Sequence, residues 1–177
     1  MTDDPHQPKD VYLQLRDAVL ALTAEQVGIE PAPRVLAALL EIGQPIGVAT
    51  LVVVAEGTTS LYFSTGGGVL GGGSDAGVAE ASRGFLAAID DALDELPATG
   101  DQPVPPAGCV RFVAVLDDGT TRGSAVPGGD LENEGHPLLS VWFAGHRVLA
   151  GLQELDEVKA AERGHREEES ERTGGTP

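Results

Sequence analysis

Apolar residues Val11, Leu13, Leu15, Val19, Leu20, Leu22 and Val27 recur at spacings that fit one face of a helix, with Asp10 as cap candidate and Gly28 near its end. This pattern predicts a first amphipathic helix. Pro31 and Pro33 punctuate the chain, after which Val35, Leu36, Leu39, Leu40 and Ile42 form a second apolar cluster, compatible with helix or strand and read here as helix. From Gly47 the texture changes. The run Val48 to Ala55 is small or β-branched and predicts a mostly buried strand. Glu56 and Gly57 turn it, and Thr58 to Phe63 returns as the second arm of a β-hairpin.

The segment STGGGVLGGGS, residues 64–74, holds six glycines and precedes a helix predicted over Asp75 to Leu96, with Ser74 or Asp75 as cap. Val78, Ala81, Phe85, Ala88, Ile89, Ala92, Leu93 and Leu96 make its inner face, while Asp90, Asp91, Asp94 and Glu95 lie outside. Pro97 to Pro106 reads as a loop. A second hairpin follows, from Cys109–Leu116, a turn at Asp117 to Gly119, and Thr120–Val126. Pro127 to Pro137 is an acidic loop carrying Asp130, Glu132 and Glu134. From Leu138 the pattern suits a strand entering a helix or a helix throughout, and a final helix is favoured. The expected fold is therefore α+β, a single antiparallel sheet of about five strands with helices packed on it in two or three layers. Residues 1–9 are expected to be a flexible start, 10–155 one domain, and 156–177 a disordered charged tail.

A length of 177 residues fits one domain with a single core. The balance of 28 acidic to 11 basic residues, a net charge of −17, opposes binding to phosphate backbones and anionic membrane surfaces. A basic protein partner is compatible with it. Cys109 is the only cysteine, so no intramolecular disulfide forms, and its apolar neighbours suit a buried strand position. The polar start and the lack of a long apolar run point to a cytoplasmic protein without a membrane span.

Candidate chemistry is sparse. Gly66, Gly68 and Gly71 satisfy a GxGxxG spacing between a predicted strand and a helix, the setting of a phosphate-binding turn. The preceding strand belongs to a hairpin, however, and no lysine followed by serine or threonine closes the loop. Two uses remain for Gly66, Gly67, Gly68, Gly71, Gly72 and Gly73: holding a small anion, or close backbone packing within the domain or against a partner. His136 and His146 lack metal-ligand spacing, and no GxSxG elbow occurs, so no catalytic residue, metal or cofactor is assigned and an enzyme is disfavoured. Trp142 and His146 on the last element are candidates for a partner surface.

The order of helix, hairpin, helix, strand pair and final helix over residues 10–155 resembles the roadblock family, whose layout is related to longin and profilin-like folds. The run VATLVVVAEGTTSLYFSTGGGVLGGG also looks like segments of uncharacterised proteins from high-GC bacteria. The roadblock resemblance implies a homodimeric, non-enzymatic scaffold or regulator of a partner such as a small GTPase. A structural subunit of a larger assembly is the other interaction role. The glycine turn and the Pro31 to Gly43 segment depart from the roadblock pattern.

Overall fold

The computed structural model of the chain describes residues 9–173, with side chains through residue 161. Ten elements matter. Helices α1 (Asp10–Leu20) and α2 (Ala24–Val27) lead into strands β1 (Val35–Gln44), β2 (Gly47–Val54), β3 (Thr59–Phe63) and the two-residue β4 (Gly68–Val69). Then come α3 (Ala76–Asp91), β5 (Cys109–Leu116), β6 (Thr121–Pro127) and α4 (Leu139–Thr173). The strands form one sheet in the order β4-β3-β2-β1-β5-β6, and each neighbouring pair is antiparallel. The expected α+β class holds, with the very short β4 as the sixth strand.

Helices cover both faces. On one, Ala38 and Leu40 of β1, Leu51 and Val53 of β2, and Phe112 and Ala114 of β5 pack with Val78, Phe85 and Ile89 of α3 and with Val141, Val148 and Leu152 of α4. On the other, Ala37, Leu39, Val52, Val54, Val113 and Val115 pack beneath Val19, Leu20, Ala24 and Val27 of α1 and α2. Because both faces are dry, the central strands are apolar at successive positions rather than at alternate ones.

That explains the first correction. Residues Val35 to Ile42, read as a helix, are the central strand of the sheet, paired with β2 on one side and β5 on the other. A strand buried on both sides loses its period of two, so its apolar run imitates a buried helix turn.

The first helix is also revised. It breaks after Leu20, and α2 restarts behind a capping box in which Thr23 and Gln26 satisfy each other's free backbone amides. Lys9, not Asp10, is the residue at its start, and no side chain caps it. Its orientation differs from the apolar stripe: Tyr12 and Arg16 are buried, whereas Val11 is 66% and Leu15 41% exposed.

Elsewhere boundaries shift by small amounts. The helix α3 is capped by Asp75, whose Oδ1 accepts from the Val78 N–H at 2.9 Å, and it ends at Asp91 before a 3₁₀ turn over Leu93–Glu95. The acidic loop contains a 3₁₀ turn, Gly128–Glu132, that buries Leu131. The last element is helix from Leu139 and continues to Thr173 through the stretch expected as a tail. Alanine, glutamate, lysine and arginine, which dominate there, are strong helix formers. Of the expected flexible ends, residues 1–8 and 174–177 lie outside the described residues.

Both sheet edges are guarded. The loop after α3 lies along β6, where the Thr99 N–H donates to the Thr121 carbonyl (3.2 Å) and the Gly123 N–H to the Pro97 carbonyl (3.0 Å). Pro127 closes the same strand without an N–H. At the opposite edge β4 is only two residues long. Short, strapped or proline-ended edges discourage strand addition by another chain.

Candidate functional site

The six candidate glycines share one region at the β4 edge. The Gly66 N–H donates to the Phe63 carbonyl (2.9 Å) and the Phe63 N–H to the Gly67 carbonyl (3.2 Å), closing the β3–β4 turn. Gly66 and Gly67 take φ of +106° and +83°, which L-residues avoid. Gly71 likewise takes φ of +73° in open space, whereas the other three are governed by contact: a Cβ on Gly68 would collide with the carbonyl oxygen of Leu61, one on Gly72 with Leu152 of α4, and one on Gly73 with the carbonyl oxygen of Gly57. The end of α3 that follows already holds a carboxylate, Asp75, on the amide an incoming anion would seek. One cation that sequence spacing did not suggest is nearby, since the Lys9 side chain lies over Gly66.

Trp142 and His146 lie apart from the glycines. They sit near the start of α4, whereas Leu152, ten residues beyond Trp142 and six beyond His146, is the α4 residue against Gly72; at the rise of an α-helix these are about 15 and about 9 Å. Their rings meet edge to face with centroids 3.9 Å apart, and burial lowers the His146 pKa below its usual value. Phe143 beside them is 60% exposed.

A cluster not foreseen from the sequence lies between α1 and the sheet. Strand register sets Thr50, Glu41 and Arg111 in a row on three adjacent strands, since Glu41 is opposite Thr50 on β2 and Arg111 on β5. From above, Arg16 Nε donates to Glu41 Oε1 at 2.6 Å and Arg16 Nη2 to Glu41 Oε2 at 2.9 Å. Arg16 Nη2 also donates to the Gln102 carbonyl at 2.6 Å. The Tyr12 hydroxyl bonds Thr50 Oγ1 at 2.8 Å, and Thr50 in turn donates to Glu41 Oε1 at 3.3 Å. Arg111 Nη1 reaches Gln102 Oε1 at 3.2 Å, leaving Arg111 Nε and Gln102 Nε2 buried without partners among the described residues.

Electrostatics follow from this geometry. Burial, helped by the Glu41 charge, pushes the Tyr12 hydroxyl up to about 12. For Arg16 burial works against the charged form, but hydrogen bonds and charge from Glu41 outweigh it and raise its pKa. Arg111 is lowered by burial, with Glu41 opposing. Chemically the cluster is a polar clasp that fastens α1 by its charged side and turns Val11 and Leu15 to solvent. Its signal was present in the sequence: Glu41 and Arg111 are the only charged residues of their strands.

No protein-family model, curated protein or solved structure matches this chain. Among the described residues no group of three or more histidine, cysteine or acidic side chains is placed to hold a metal ion, and no helix is long and apolar enough to cross a membrane.

Proposed function

We propose that this chain is a non-enzymatic protein-interaction module whose contact surface is the outward side of α1. The observation that carries this reading is the exposure of Val11 and Leu15 on a helix whose opposite side is clasped by buried polar groups. Large apolar side chains held in water on a helix favour association. Asp10 and Asp17 flank them, and with a net charge of −17 the fitting partner is an apolar surface rimmed by basic groups. The guarded sheet edges leave helix surfaces as the available route. A small GTPase, the partner implied by the roadblock resemblance, fits this face if its contact region is basic.

A homodimer through the same surface is the second reading, because α1 is complementary to itself in reverse. An antiparallel pairing centred at the height of Leu13 sets Val11 on Leu15 of the partner subunit.

The test uses a synthetic basic amphipathic helix of leucine and lysine, titrated calorimetrically against the full chain and against Val11→Asp/Leu15→Asp. Both positions are exposed, so the variant is expected to fold. Added negative charge strengthens any unspecific attraction to the peptide. A loss of affinity of about tenfold or more therefore identifies the apolar contact, and unchanged or tighter binding defeats the reading. Light scattering separates the two occupants: a doubled mass that falls to one chain in the variant makes the partner a second copy.

A further inference from the structure

We propose that the hollow between the α2–β1 connection and α3 binds a small amphipathic carboxylate. The hollow has a volume of about 350 Å³ and opens where β1 begins and β2 ends. Ile29, Pro33 and Leu86 give it an apolar lining, and Arg34, Arg83 and Asp90 supply its charges. Pockets of this size that join an apolar wall to a few polar groups are the usual form of small-molecule sites.

Two features select the ligand. The first is the state of the arginines: the Arg83 side chain has no hydrogen-bond or ion-pair partner among the described residues, and the Arg34 side chain has only a long contact of 3.7 Å to Asp90. In that contact the two side chains are 58% and 46% exposed, so it contributes little and leaves the guanidinium donors available. Arginine presents a planar fork suited to a carboxylate. The second is the balance of charge. Two guanidiniums against Asp90 leave one positive charge, which matches a monoanion, while Asp90 beside Arg34 repels a dianion such as phosphate. The apolar wall excludes a small hydrated ion and favours a hydrocarbon or aromatic body behind the carboxylate. In a chain of net charge −17, free inorganic anions are repelled at long range, so binding here depends on the apolar contact together with the local pair of arginines.

The probes are sodium octanoate, 1-octanol and octylamine, measured by calorimetry and thermal shift on the full chain. Octanoate is expected to bind and raise Tm, and the alcohol and amine to bind about tenfold or more weakly by comparison. Arg83→Ala is expected to weaken octanoate by about tenfold, the loss of one charge-assisted pair. Ala87→Trp, at an exposed α3 position on the rim, fills the hollow without touching the core and is expected to abolish binding. Equal binding of octanol, an unaffected Arg83→Ala, persistence in a folded Ala87→Trp, or no octanoate binding by the unmodified chain overturns the proposal. Val11→Asp/Leu15→Asp is expected to bind octanoate normally, so the fate of this site is independent of the α1 surface.

Discussion

Arg16 and Glu41 form a two-pronged ion pair, at 2.6 and 2.9 Å, between a surface helix and the central strand, with Glu41 wholly buried and Arg16 only 5% exposed. Such a pair adds little net stability over an apolar replacement, yet breaking it strands a buried charge. Glu41→Ala is accordingly expected to cost about 3–5 kcal/mol in chemical denaturation. The double variant Arg16→Met/Glu41→Leu should cost much less than the two single changes combined. Additivity within about 0.5 kcal/mol would show that the pair is not coupled.

Tyr12 makes the clasp sensitive to alkali. Its hydroxyl titrates near 12 in the folded chain, against an ordinary value of 10.0. The folded state therefore holds this proton more tightly than the unfolded one. The contribution is fully present below pH 10.0 and is lost as pH rises toward about 12. Tyr12→Phe removes the titration and its hydrogen bond, at a cost of about 1 kcal/mol at neutral pH. In that variant the decline of stability between those two pH values should be shallower, as followed by urea midpoints. An unchanged slope would place the alkaline sensitivity elsewhere.

Tyr12 and Arg16 also show where local pattern stops being informative. Strands β2 and β5 were legible because their β-branched runs are bounded by turn residues, β6 because it returns from the turn at Asp117 to Gly119, and α3 because its apolar positions return at helical spacing above an aspartate cap. Strand β1 was not, since burial on both faces erased its alternation. The inner side of α1 was hidden for a related reason. Period alone assigns apolar residues inward, but Tyr12 and Arg16 are buried by partners 38 and 25 positions away, which no local pattern contains. The glycine turn was found as a feature, whereas its packing against Gly57 and Leu152 became visible only in three dimensions. The α1 surface and the Arg34–Arg83 hollow depend on the same kind of long-range placement.

The two cap candidates of α3 separate cleanly. Asp75 accepts the Val78 N–H, while Ser74 donates to the Gly71 carbonyl at 3.1 Å on the exposed side of the turn. Asp75→Ala should cost about 1 kcal/mol, and Ser74→Ala within about 0.5 kcal/mol of nothing. Equal losses in thermal unfolding would contradict the assignment of the cap.

Glycine replacements test whether the turn is held by contact. At Gly73 an added methyl meets the Gly57 carbonyl oxygen, a backbone atom that cannot rotate away, so Gly73→Ala should destabilise by about 1–3 kcal/mol, the usual range for overpacking. Gly84 lies exposed within α3 with open space around it, and there alanine removes only the backbone freedom of the unfolded chain. Gly84→Ala should therefore stabilise by about 0.5–1 kcal/mol. Gly67, at φ +83° but in open space, isolates the conformational part: Gly67→Ala strains the turn without a clash. The expected order of Tm is Gly84→Ala above the unmodified chain, then Gly67→Ala, then Gly73→Ala. If Gly73→Ala instead unfolds at the same temperature as the unmodified chain, the contact with Gly57 does not constrain this position.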